Sequence, residues 1–178
     1  MWNIITLDGY FEGNTNWELP FHERIWGPEL EEKSIDQLNR ADYLVFGRVT
    51  YAGMAAYWGN AEGQIAEMMN SLPKIVFSRT LISADWNNST LIRGNAPEEV
   101  ARLKAEGNND MYVFGSANLS ETLIRSSLFD EYRIGIAPVL LGQGRHLFSE
   151  NLQANLDLKN VEQLSNGGVI LTYIPHNQ

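Results

Sequence analysis

The chain has 178 residues, 44% hydrophobic and 20% charged, a length and balance that suit one folded domain spanning residues 1–178 with a substantial core. Its 22 acidic residues against 13 basic give a net charge of −9, which repels nucleic acid and anionic membrane while leaving room for a local basic pocket. The absence of cysteine excludes disulfides, thiolate metal sites, iron–sulfur clusters and cysteine nucleophiles. Met1-Trp2-Asn3-Ile4 carries no basic segment, and no apolar run approaches the roughly 20 residues that span a bilayer, so a cytoplasmic location is expected.

In chain order, Trp2–Leu7 (WNIITL) reads as a strand. Glu29–Arg40, with Pro28 at its start, reads as an amphipathic helix. Tyr43–Phe46 (YLVF) is a short buried strand ended by Gly47. Thr50–Tyr57 and Glu62–Ser71 are helical, Lys74–Phe77 (KIVF) is a strand, and Thr90–Ile92 is a weaker one. Asn95-Ala96-Pro97-Glu98 opens a helix by a capping box, and that helix runs to about Gly107. Met111–Phe114 (MYVF) is a strand, followed by a helix near Leu119–Ser127 and a longer strand over Glu131–Val139. Ser165-Asn166-Gly167-Gly168 between Leu156–Leu164 and Val169–Ile174 signals a hairpin. The alternation predicts an α/β fold with a mostly parallel central sheet, helices on both faces and an antiparallel C-terminal hairpin.

Chemistry is expected where strands end. YLVF runs into Gly47-Arg48-Val49-Thr50-Tyr51, and MYVF into Gly115-Ser116-Ala117-Asn118. Each turn opens a helix whose N-terminal amides and positive dipole end attract anions, and ligands of open α/β sheets bind at the carboxyl ends of strands. Two such turns could hold the phosphates of a dinucleotide, or each could be a tight turn with Thr50 and Asn118 as caps. KIVF runs into Ser78-Arg79, so Arg48 and Arg79 both stand just beyond strand ends, as phosphate ligands or as solvated arginines. Asp8, in Thr6-Leu7-Asp8-Gly9-Tyr10, could act on a ligand or cap its own turn. Trp17, Phe21, His22 and Trp26 form an aromatic cluster that reads as a lid or as a cover for the core. Gly142-Gln143-Gly144 reads as a turn. His22, His146 and His176 have no metal-ligand spacing, and neither a G-x-G-x-x-G nor a G-x-S-x-G motif is present.

Taken in order, TLDGY, DYLVFGRVTYAGM, KIVFSRTL, YVFGSANLSETLI and DEYRIGIAPVLLGQGRHLF resemble the RibD C-terminal domain-like branch of the dihydrofolate reductase superfamily, over about residues 3–174. The resemblance implies a three-layer dihydrofolate reductase-like fold with NADPH as hydride donor. It sets Gly47, Arg48, Thr50 and Tyr51 against the cofactor phosphates and Ser78 and Arg79 near the adenosine 2′-phosphate. Gly115, Ser116, Ala117, Asn118 and Leu119 fall under the pyrophosphate, although Ser116 replaces the second glycine usual in the family. Asp8 becomes the candidate catalytic group, with Trp17 and Tyr51 as further substrate contacts. The implied activity is NADPH-dependent reduction of a small planar, pterin- or pyrimidine-like metabolite. A non-catalytic nucleotide or pterin binder and a flavin-dependent protein are the alternatives, and a homodimer is the expected assembly, with the C-terminal hairpin offering a contact.

Overall fold

A computed structural model describes residues 1–176. In chain order the elements are β1 (Trp2–Thr6), β2 (Tyr10–Glu12), a 3₁₀ turn (Pro20–Arg24), α1 (Pro28–Asn39), β3 (Ala41–Gly47), α2 (Arg48–Trp58), α3 (Gln64–Ser71), β4 (Lys74–Phe77) and β5 (Ser89–Ile92). They continue with α4 (Ala96–Glu106), β6 (Asp110–Val113), α5 (Ala117–Arg125), β7 (Tyr132–Ala137), β8 (Arg145–His146), β9 (Leu156–Gln163) and β10 (Val169–Pro175). The chain forms two compact units: Met1–Glu32 with the segment from Phe129 onward, and Lys33–Leu128.

The Lys33–Leu128 unit carries an all-parallel sheet in the order β5-β4-β3-β6. Leu44, Val45 and Phe46 of β3 and Val76 of β4 are fully buried, as expected for strands covered on both faces. Leu38, Leu44, Phe46, Tyr51, Met69, Val76, Trp86 and Tyr112 form its core. Lys74 is also fully buried. Its Nζ donates to the carbonyls of Asn70, Leu72 and Asn87 at 3.1, 2.7 and 2.9 Å and lies 4.4 Å from the Trp86 ring centre. A lysine is tolerated there because all three of its donors are satisfied.

The other unit holds a sheet ordered β1-β7-β10-β9, with β1 parallel to β7 and the β9–β10 hairpin antiparallel. The predicted hairpin closes on Leu164 N–H to Gly168 O at 2.8 Å, with Gly167 at φ 88°. Phe21 and Ile25, 2% and 0% exposed, bury the 3₁₀ turn; Ile25 also lies against Gly135 of β7 and Gly168. Phe21 of the aromatic cluster therefore belongs to the core, whereas Trp26 is 47% exposed. The two-stranded β2–β8 ladder was not legible in the sequence because its strands have only 3 and 2 residues. The expected capping box at α4 takes a different form: the Asn95 amide donates to Glu98 Oε1 at 2.7 Å and caps no backbone group. Among the described residues no helix is long and apolar enough to cross a membrane.

Candidate functional site

The strand order of the Lys33–Leu128 unit creates a switch point. From β3 the chain moves to β4 and on to β5, then returns through α4 to place β6 on the opposite side of β3. The connection that leaves β3 and the one that arrives at β6 run to opposite sides of β3, so the carboxyl ends of β3 and β6 stand at a switch point, the position where open α/β sheets bind ligands. The two turns singled out in the sequence are the turns that follow β3 and β6.

Hydrogen bonds across 69 and 66 residues of chain join these turns. Gly47 N–H donates to Ser116 Oγ at 2.9 Å, and Ser116 N–H donates to Thr50 Oγ1 at 2.9 Å. Thr50 and Asn118 are therefore not N-caps. Gly47 and Ser116 occupy those positions, and neither makes a side-chain capping bond. Gly115 and Ser116 are consecutive left-handed residues, at φ 55° and 59°; the first suits glycine, while serine holds the second against its conformational preference. The Ser116 side chain supplies the hydrogen bond that a glycine there would lack. Thr50, Ser116, Ala117 and Leu119 are buried, whereas Arg48 and Asn118 are exposed.

The charges at these helix ends are selective. α1, α3 and α4 each carry acidic residues in the first turn, the usual complement to the dipole. α2 and α5 carry none, and α2 begins with Arg48. In a chain with 22 acidic residues, the two helices that open at the switch point are the two of the five α-helices among the described residues whose first turn holds no carboxylate. Their N-termini suit an exogenous anion.

Ser78 ends β4. Its Oγ accepts the N–H groups of Thr80 and Leu81 at 3.2 and 2.9 Å, so it shapes the turn that presents Arg79. Arg93, which the sequence reading passed over, braces that loop by donating to Arg79 O at 3.4 Å and Ile82 O at 3.0 Å. Arg48 and Arg79 are both exposed, and neither guanidinium has a hydrogen bond or ion pair among the described residues. Tyr51, expected against substrate, is a core residue 5% exposed, and its hydroxyl accepts Trp86 N–H at 2.8 Å. The helix turns this ring inward, so Tyr51 supports the loop at Trp86.

Asp8 lies in the other unit, at the end of β1. Its carboxylate accepts the Thr6 hydroxyl at 2.5 Å, Leu141 N–H at 3.1 Å and Gly142 N–H at 2.8 Å. Led by the Thr6 hydrogen bond, these donors hold its pKa down at about 2. Beside these local bonds within its own turn, Asp8 fastens the Gly142-Gln143-Gly144 turn to the end of β1. Gly144, at φ 140°, lies so close to Glu12 that a β-carbon would collide with the Glu12 carbonyl oxygen. Buried Glu12 accepts Trp17 N–H at 3.2 Å and Arg145 Nη1 at 3.2 Å, and Trp17 sits half-buried at φ 68°. His146 stacks on Tyr10 at 4.3 Å, with Nδ1 3.1 Å from Gly9 O. This imidazole beside the Leu-Asp-Gly loop had no local signal, because its partner is 137 residues away. Among the described residues no His, Asp and Glu group could hold a metal ion.

The sequence matches the RibD C-terminal domain family over residues 1–170. The chain belongs to that family. It is 34% identical over 179 residues to the uncharacterized protein YyaP of Bacillus subtilis (strain 168), covering 95% of this chain and 90% of the relative. Among solved structures it resembles a Shewanella sp. PV-4 protein named for riboflavin biosynthesis. The TM-score is 0.81 at 22% identity, over 99% of this chain and 97% of that one. It also resembles a pyrimidine reductase-like protein of Corynebacterium diphtheriae, with a TM-score of 0.67 at 13% identity, over 99% and 91% of the two chains. At these identities the likeness establishes the fold, which is the dihydrofolate reductase-like arrangement expected from the motifs.

Proposed function

We propose that this chain is an NADPH-dependent reductase of a small planar, pyrimidine- or pterin-like compound. The observation that carries this reading is the pair of carboxylate-free helix N-termini, α2 and α5, whose turns are joined through Gly47, Ser116 and Thr50 at the switch point. The residues fit an extended dianionic linkage: two helix ends receive the pyrophosphate, and glycine at 47 and 115 lets it approach the backbone. Arg48 and Arg79 bring positive charge on exposed, unpaired side chains, with the 2′-phosphate as the group they would take. Family membership and the pyrimidine reductase-like neighbour favour a pyrimidine as the substrate.

When bound, the nicotinamide supplies the hydride. Asp8 stays ionised throughout the neutral range, so it serves as a fixed acceptor and negative charge rather than as a stored proton. An amino or lactam N–H of the substrate is the group such a carboxylate orients. The Gly142-Gln143-Gly144 turn, fastened to Asp8, keeps that carboxylate in place.

The test is NADPH oxidation by the purified protein against a panel of aminouracils, pterins and quinones. Oxidation with an aminouracil or pterin supports the reading. NADPH binding without oxidation of any partner would make the chain a binder, and a yellow protein as isolated would make it flavin-dependent.

A further inference from the structure

Reduction of a C=N or C=O bond consumes a proton as well as a hydride, and Asp8 holds none to give. Its carboxylate accepts three donors and stays ionised throughout the neutral range. The segments that meet around it, residues 6–12 and 139–147, carry four other titratable side chains: Tyr10, Glu12, Arg145 and His146. Glu12 is buried and accepts Trp17 N–H and the Arg145 guanidinium. Arg145 keeps its protons, as a guanidinium does. Tyr10 lays its ring against His146. That leaves His146, and imidazole is the side chain that takes up and releases a proton in the physiological range.

His146 is exposed yet firmly held. It pairs with Tyr10 in the β2–β8 ladder, and the two rings stack with centroids 4.3 Å apart and planes 22° apart. Nδ1 lies 3.1 Å from Gly9 O. A carbonyl only accepts, so Nδ1 carries a proton in that bond whether the ring is neutral or charged, and only Nε2 changes state. Gly9 itself, at φ 88°, packs against the ring: a β-carbon there would stand 3.4 Å from Nδ1. Gly9 directly follows Asp8, so the loop that carries the carboxylate also seats the imidazole. Leu7 and Leu140, 64% and 73% exposed, stand at the same corner, where Leu7 N–H donates to Val139 O at 2.9 Å. Open apolar side chains beside one fixed carboxylate and one fixed imidazole form the mixed surface that a planar heterocycle takes.

We propose that His146 is the proton donor of the reaction, giving its Nε2 proton to the substrate heteroatom as hydride reaches the adjoining carbon. This assignment rests on the reductase reading above. The hydride brings two electrons and forms the new C–H bond. The π pair of the C=N or C=O bond moves onto nitrogen or oxygen, and that atom takes the proton from Nε2, leaving CH–NH or CH–OH. The neutral ring still donates Nδ1–H to Gly9 O and recovers its Nε2 proton from solvent, to which it is open. Asp8 and His146 thus divide the work: the carboxylate orients an N–H of the substrate, and the imidazole protonates the reacting atom.

Two measurements test this. Long-range proton–nitrogen NMR correlation of the substrate-free protein should show the neutral His146 ring as the Nδ1–H tautomer, its signal identified by its loss in His146→Phe. The Nε2–H tautomer would overturn the inference whatever the substrate. The second measurement is NADPH oxidation with the aminouracil or pterin that the panel yields. His146→Phe keeps a ring to stack on Tyr10, and His146→Gln keeps a donor for Gly9 O. Neither holds an acid, so in both kcat should fall on the order of 10²-fold with NADPH affinity unchanged. Wild-type kcat should decline as pH rises and the ring gives up its Nε2 proton, and both variants should lack that alkaline limb. Full turnover in His146→Phe or His146→Gln, or the same limb in all three proteins, would overturn the proton donor alone. No oxidation by the wild type with any compound of the panel would overturn the reductase reading and this assignment with it.

Discussion

Ser116 Oγ accepts the Gly47 N–H at 2.9 Å, so the turn after β6 holds the turn after β3 in register. The Ser116 N–H in turn donates to Thr50 Oγ1, and these two bonds give the pair of helix N-termini one fixed spacing.

Removing either acceptor leaves an amide without its partner. Thr50→Val keeps the shape but strands the buried Ser116 N–H, at a cost of roughly 1–3 kcal/mol. Ser116→Ala strands Gly47 N–H and keeps the left-handed strain. Ser116→Gly loses the same bond but relieves the strain, so it is the milder change. Urea denaturation should rank Ser116→Gly above Ser116→Ala in stability. In the cycle combining Thr50→Val with Ser116→Ala, the two costs should fail to add.

Asp8→Asn replaces a carboxylate that accepts three donors with an amide that has a single acceptor oxygen. Amide hydrogen exchange at Leu141 and Gly142 should accelerate. In the wild type the depressed pKa contributes stability above pH 3.8 that is lost as pH falls through about 2, and Asp8→Asn should lack that acid limb. On the substrate identified by the NADPH panel, turnover should fall on the order of 10²-fold with NADPH affinity unchanged. Unchanged turnover would remove Asp8 from the reaction.

His22 gives a second, separable pH response. Burial lowers its pKa from 6.5 to about 4, and Nε2 is buried without a partner among the described residues. The folded state therefore resists protonation that the unfolded state accepts, so stability declines as pH falls from 6.5 toward 4. Melting temperature measured across that window should drop in the wild type and change less in His22→Gln.

The strands YLVF, KIVF and MYVF were legible because short apolar runs closed by glycine, serine or proline leave few alternatives to a strand buried on both faces. The positions of the turns that follow them came with the strands. The bonding between the turns did not, because Gly47 and Ser116 are 69 residues apart and no local pattern records which strands become neighbours. Asp8 was legible as a polar group at a strand end, yet its partners at Leu141 and Gly142 lie 133 and 134 residues on. Tyr51 misled because the motif places it beside the turn, while the helix phase directs its ring into the core at Trp86. The carboxylate-free first turns of α2 and α5 were present in the sequence, and their meaning emerged once the strand order showed that both helices open at one switch point.

Calorimetric titration of the protein with NADPH and NADH tests the central claim most directly. NADPH should bind more tightly than NADH by roughly 1.5–3 kcal/mol, the scale of a charge-assisted hydrogen bond, and Arg48→Gln with Arg79→Gln should erase most of that difference while leaving the fold intact. Equal affinities for the two cofactors, or binding of neither, would contradict the assignment of the β3 and β6 turns to NADPH.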